Sequence, residues 1–229
     1  MPGKKYFCIL GLFLAFFLIL GIDGVQADLD FLEEDKLYNP REIGDFVEFF
    51  QEIDYEFHSA AGETVNTYIL EGEEELDGEI VNRILLEATS FEQDFKFTVW
   101  VDQEGEVKRV RDEFSQEEIP VFLANTLLQA ALSPFMTAEE LGVEETIAAE
   151  YEGYELEHTA TVEEKIGELE VQVHYFEVES EDDDAFAGTA TYRIADFEDF
   201  LMLIGFDIPD YRVEDLEYLE FEVTRIILN

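Results

Sequence analysis

The sequence predicts an α+β fold, mainly a curved antiparallel sheet of half-barrel type packed on a few short helices. Three observations predict it. Apolar residues alternate at period two over nine separate stretches, short turn segments join most of them, and three other stretches switch to helical spacing.

Residues 1–27, "MPGKKYFCILGLFLAFFLILGIDGVQA", stand apart from the fold and have the three zones of an export signal. Lys4 and Lys5 form the basic start, 7–20 is uncharged and apolar, and Val25-Gln26-Ala27 offers small residues for cleavage after Ala27. The rival reading is an uncleaved anchor, but the uncharged run ends at Asp23, short of the roughly 20 residues a spanning helix wants. Cys8, the single cysteine, lies inside the apolar stretch without a small residue before it, so lipid attachment is not expected there. Cleavage leaves an exported chain with no disulfide framework, and stability must come from an ordinary core.

Next comes an acidic leader, 28–52, ending in "NPREIGDFVEFFQ". Asn39 is placed to cap a helix, with Pro40 at its first position and Glu42 at its third. Ile43, Phe46, Val47 and Phe50 recur at helical spacing and need something to dock on. From Ile53 the period is two, and strands are expected at 53–59, 64–71, 79–88, 94–101 and 106–112. Their links "AAGE", "LDGE" and "DQEG" place glycine where a tight hairpin needs positive φ, so successive strands should be antiparallel neighbours.

The strand period then stops, and 115–142 reads as helix. Ser115 with Glu118 and Thr137 with Glu140 have capping-box spacing, Pro120 interrupts the first turn, and Pro134 is expected to end the main helix after Leu132. Between the prolines, "VFLANTLLQAAL" is apolar nearly all round, as in a helix buried on most of its surface. Strands resume at 150–159, 169–179, 187–194 and 216–228, and Asp196 is expected to cap a short helix carrying Phe197, Phe200, Leu201 and Ile204 and ending at Gly205. The second strand set, 143–229, is read as continuous with 53–142. "EEELDGEI" and "EEKIGEL" repeat one pattern, acids then glycine then a new strand. Either an internal duplication or a recurring hairpin grammar accounts for it.

Charge excludes several functions. Thirteen basic residues against 57 acidic give −44, which rules out nucleic acid and anionic membrane surfaces as electrostatic partners. A hydrophobic fraction of 47% and an aromatic fraction of 14% are far above those of a disordered acidic chain. The acids are spread along the sequence, which points to adaptation to brine or high pH; a basic partner or many bound cations is the alternative.

With 57 carboxylates, pairs at any spacing arise by chance, and no two can be nominated as a catalytic acid and nucleophile. The run 181–184 lacks the alternating ligands and central glycine of a calcium loop and reads as a solvated turn. His58, His158 and His174 have no partner at metal-ligand spacing, and no "GxSxG" elbow or phosphate-cradling loop occurs. No enzyme activity, metal or cofactor is expected. In "FKFTVWVD", Phe95, Phe97, Val99 and Val101 share one face, which leaves Trp100 on the other, either as core against a helix or as the wall of a ligand cavity.

"TYILEGEEELDGEIVNRILLEA" followed by "FKFTVWVDQEGEVKRVRDEF" is similar to the exported lipoprotein-carrier and lipoprotein-sorting domains, in which a curved antiparallel half-barrel encloses helices and an apolar cavity. The resemblance covers about 53–132. It implies a lipid or other apolar ligand held between sheet and helix, with Trp100, Phe122, Leu123, Leu127 and Leu128 as the matching binding residues. The expected function is thus an exported, non-enzymatic protein of the cell envelope or extracellular space that binds such a ligand. The alternative is a structural or protein-interaction module whose core is filled by its own helices.

Overall fold

The computed structural model describes residues 25–26, 37–90, 94–140, 149–151, 154–180, 186–211 and 216–229. The first strands are β1 (Val25–Gln26), β2 (Leu37–Tyr38), β3 (Ile53–Ala61), β4 (Thr64–Leu76), β5 (Glu79–Thr89), β6 (Asp94–Val101) and β7 (Val107–Asp112). They are followed by β8 (Ala149–Tyr151), β9 (Tyr154–Ile166), β10 (Leu169–Ser180), β11 (Gly188–Asp196), β12 (Leu201–Pro209) and β13 (Tyr218–Leu228). Two helices, α1 (Ile43–Glu52) and α2 (Val121–Glu140), complete the described elements. Neither is long and apolar enough to cross a membrane.

All thirteen strands belong to one curved sheet in the order β1-β8-β9-β10-β11-β12-β13-β3-β4-β5-β6-β7, with β2 added beside β12. Every pairing is antiparallel except β2 with β12. Two meanders, β3 to β7 and β8 to β13, are therefore welded by β13 on β3, where Leu219 faces Ala61 at one end and Leu228 faces Ile53 at the other. The sheet coils far enough for the tip of the β9–β10 hairpin to return, so that Gly167 makes an isolated bridge to Ile226.

The mainly antiparallel sheet and all five strands of the first meander agree with the sequence reading. The two similar acidic hairpins differ in detail. In β4–β5 the turn residues are Asp77 (φ 54°) and Gly78 (φ 92°), both left-handed, whereas in β9–β10 the glycine, Gly167, comes first in the turn. The glycines that align in sequence are offset by one turn position.

Several expectations are corrected. The helix N-cap is Glu42, not Asn39: the Asp45 carboxylate accepts from the backbone N–H groups of Arg41 and Glu42, both at 3.1 Å, and α1 begins at Ile43. Ser115 and Glu118 do not cap a helix. Asp112 draws in the N–H groups of Phe114 (2.7 Å) and Ser115 (3.1 Å), and the chain then runs along the edge of β7, with Asp112 N–H to Glu117 O at 2.9 Å and Ile119 N–H to Val110 O at 3.1 Å. The helix starts only after Pro120 and continues through Pro134 to Glu140. Proline leaves the carbonyl of Ala130 without its helical donor, and the Ser133 hydroxyl supplies one at 2.7 Å. Residues 141 and 142, expected to end this helix, lie outside the described residues, as do the run 181–184 and the proposed signal up to residue 24.

The short helix expected after Asp196 is strand β12. Its residues from Leu201 to Phe206 are all buried because the strand is central and covered on both faces, so its apolar run carries no period by which strand and helix could be told apart. Strand β9 likewise runs to Ile166 rather than ending at 159, taking the acidic stretch before Gly167 into the sheet.

The core lies between the sheet and the two helices. An aromatic seam crosses it: Tyr55 stacks on Phe57 at 5.2 Å, Phe57 on Tyr68 at 4.8 Å, and Phe57 meets Phe221 at 5.2 Å. Beyond Phe221 the seam reaches Phe206 at 5.7 Å and Tyr192 at 5.9 Å, on strands of the second meander. Burial holds the Tyr55, Tyr68 and Tyr192 phenols well above their ordinary range, so they stay neutral in alkaline solution.

Candidate functional site

Helix α2 presents Ala124, Leu127, Leu128, Ala131, Leu132 and Phe135 to the sheet, all buried in the same cluster as Val99, Val101, Tyr68 and Phe221. Alanine at 124 and 131 lets the helix approach closely, and the Tyr68 hydroxyl donates to the Leu127 carbonyl at 3.1 Å, pinning the helix to β4. Phe135 reaches Phe49 of α1 at 6.4 Å and Phe221 at 6.1 Å, so both helices share one interior. Of the expected binding residues, Leu127 and Leu128 are core, Leu123 packs against the core while partly exposed, and Phe122 points to solvent at 65% exposure.

Trp100 is elsewhere. Alternation along β6 sends Val99 and Val101 to the helices and Trp100 to the opposite face, outside that core. It is nevertheless only 3% exposed. The register sets Arg83 on one side of it and Arg109 on the other. The guanidinium carbons of Arg109 and Arg111 stand 5.3 and 5.2 Å from the ring centroid, and the indole N–H donates to Glu74. Charged side chains help close this tryptophan from water, and the planar guanidinium is suited to lying over an aromatic face.

Each cation of the cover is itself paired. Arg83 bonds Glu71 at 2.8 Å and Glu74 at 3.3 Å, Arg109 meets Glu118 at 2.6 Å, and Arg111 meets Glu113 at 2.6 Å. Burial works against the charge of Glu113, but hydrogen bonds from Thr98, Arg111 and Gln116 outweigh it and hold the carboxyl below its usual range. Five of the chain's 13 basic residues fall between Arg83 and Arg111. This clustering was visible in the sequence, but not that three of them, Arg83, Arg109 and Arg111, would gather at one tryptophan.

The geometry therefore does not bring Trp100 together with Phe122, Leu123, Leu127 and Leu128. It does bring together two residues that sequence spacing kept apart, His158 and His174, whose rings lie 5.9 Å from each other across β9 and β10. Counting outward from the Gly167 turn puts Thr161 opposite His174, and a bulge after it moves His158 into range. Among the described residues no group of three or more histidine, cysteine or acidic side chains is arranged to hold a metal ion. No protein-family model matches the chain, and no curated protein matches it.

Proposed function

We propose that this is an exported, acid-surfaced, non-enzymatic module of the cell envelope or extracellular space, a half-barrel whose concave side is filled by its own helices. The observation that carries this reading is the α2 interface. Ala124, Leu128, Ala131, Leu132 and Phe135 are each no more than 3% exposed, in direct continuity with the inner face of the sheet. Export rests on the pattern of residues 1–27, and cleavage after Ala27 would take the two-residue β1 with it, leaving the other twelve strands of the sheet. One observation favours the second reading, a lipid or other apolar ligand: Phe114 (66% exposed), Val121 (36%) and Phe122 (65%) put apolar side chains in water around the start of α2.

Native mass spectrometry of the chain purified from its host's exported fraction separates the two. The filled-module reading expects a bare chain beginning at Asp28. One lipid mass per chain, lost on replacing the exposed Phe122 by Glu, would establish the ligand reading instead; Leu127 and Leu128 are unsuitable for that test because both are core. Acid adaptation has its own check. The screening length falls from about 10 Å at 0.1 M salt to about 3 Å at 1 M, and with 57 acids against 13 bases, screened repulsion outweighs weakened ion pairs. The unfolding midpoint is expected to climb steeply with molar salt, and a flat response would sink the brine account.

A further inference from the structure

The Thr161 hydroxyl lies between two imidazoles, 3.1 Å from His158 Nε2 and 2.9 Å from His174 Nδ1. A hydroxyl has one proton, so it donates to one ring nitrogen and accepts from an N–H on the other, a bridge that is complete when both rings are neutral. With both rings protonated the oxygen could accept from each through its two lone pairs, but the hydroxyl proton would lose its ring acceptor and two positive charges would stand across a 5.9 Å gap. His174 is 4% exposed and can shed little of that charge to water, while Thr161 faces solvent.

Charged and titratable groups reach His174 from both neighbouring strands. From β9 come His158 and, by register, Glu163, which pairs with Gln172 beside it; from β11 comes Asp196, opposite the same Gln172. Burial lowers the readiness of His174 to take a proton, Asp196 raises it, and His158 lowers it again, leaving the ring below its ordinary range.

We propose that the His158–Thr161–His174 bridge is an acid-sensitive clasp, holding β9 on β10 while the buried His174 ring is neutral and loosening β9 as that ring takes a proton. The folded ring binds protons less readily than the unfolded one. The clasp is therefore at full strength above the ordinary histidine value of about 6.5 and weakens as pH falls below it. Carboxylates titrate near pH 4 and act in the opposite sense by relieving repulsion, so the two effects occupy different windows. Beyond its pairing with the three-residue β8, β9 is the outer strand of its meander, so loosening it need not unfold the core.

The test is amide hydrogen exchange on the full chain in constant molar salt between pH 8 and 5, corrected for intrinsic exchange, with the β4–β5 amides as internal reference. The expected result is a several-fold loss of protection confined to β9 and its partners on β10 in the unsubstituted protein, absent in His174→Asn. An NMR titration of His174 in the unsubstituted protein and in His158→Asn is the second measurement, and it decides the matter if His174→Asn fails to fold. His174 is expected to titrate at higher pH once the neighbouring imidazole is gone. Equal loss of β9 protection in the unsubstituted protein and His174→Asn, no loss in either, or a His174 titration indifferent to His158, would overturn the clasp.

Discussion

Replacing Phe221 by alanine is expected to lower the unfolding free energy by about 3–5 kcal/mol. Its ring is fully buried and touches three separate parts of the fold: Phe57 on β3 at 5.2 Å, Phe206 on β12 at 5.7 Å and Phe135 on α2 at 6.1 Å. Truncation loses the transfer free energy of the ring and leaves a space that neighbours on two sheet halves and a helix cannot all close at once. Denaturant unfolding at constant molar salt, with the slope checked for constancy, reads the effect. A loss under 1 kcal/mol would mean that the interior collapses freely around the site, against the account of a filled, close-packed core.

Replacing Gly105 by alanine is expected to cost about 3 kcal/mol or more, from left-handed backbone strain of about 1–2 kcal/mol together with overpacking of about 1–3 kcal/mol. Gly105 has φ +85°, and a Cβ there would sit 2.5 Å from Gly44 N, 2.8 Å from Gly44 Cα and 2.9 Å from Ile43 C. These are backbone atoms at the first turn of α1, with no flexible side chain to move aside. The β6–β7 turn cannot retreat cheaply, because the Asp102 carboxylate holds it through Glu104 N–H at 2.9 Å and Glu106 N–H at 2.8 Å. Gly205→Ala is the control. Its Cβ would also meet a neighbour, but that neighbour is the Arg193 guanidinium, the end of a flexible side chain, which can swing away at the loss of its bond with Tyr175 and of a partly exposed pair with Glu222 at 3.4 Å. Such a pair is worth about 1 kcal/mol or less. Thermal or denaturant unfolding of the two variants side by side should therefore show Gly105→Ala as much the more damaged; equal damage would refute the backbone-contact argument.

How far the fold was legible depended on whether each element had one buried face or two. Strands β3 to β7 were readable because their helix-facing residues alternate with polar or charged ones, and a period of two survives in the sequence. Strand β12 was misread as a helix because it is covered on both faces, and a run such as Leu201, Met202, Leu203 and Ile204 has no polar side to mark its pitch. Pro134 was read as a stop because a proline ring crowds the carbonyl four residues back and proline lacks the N–H. The donor that replaces it, Ser133, stands directly before it in the chain, but its use depends on a side-chain rotamer.

The candidate site divides in the same manner. That Trp100 lies opposite Val99 and Val101 followed from alternation alone. That it would be buried there, beneath Arg109 and Arg111, depended on the strand register that sets Arg109 against it, a non-local pairing. The grouping of Trp100 with the leucines of α2 came from the family resemblance, and the sheet lies between them.

By itself the sequence determined the surface charge, the predominance of antiparallel strands, the positions of the tight turns in the first meander and the existence of one strongly apolar helix. All of these are set by local composition and by periods shorter than a dozen residues. Tertiary structure alone decided that β13 would join β3 and make two meanders one sheet, that α2 would bury Leu127 and Leu128 while leaving Phe122 in water, and that His158 and His174 would share one hydroxyl. The physical reason is the same in each case: these outcomes follow from register, bulges and chain crossings, which bring together residues far apart in sequence and leave no periodic trace in either segment.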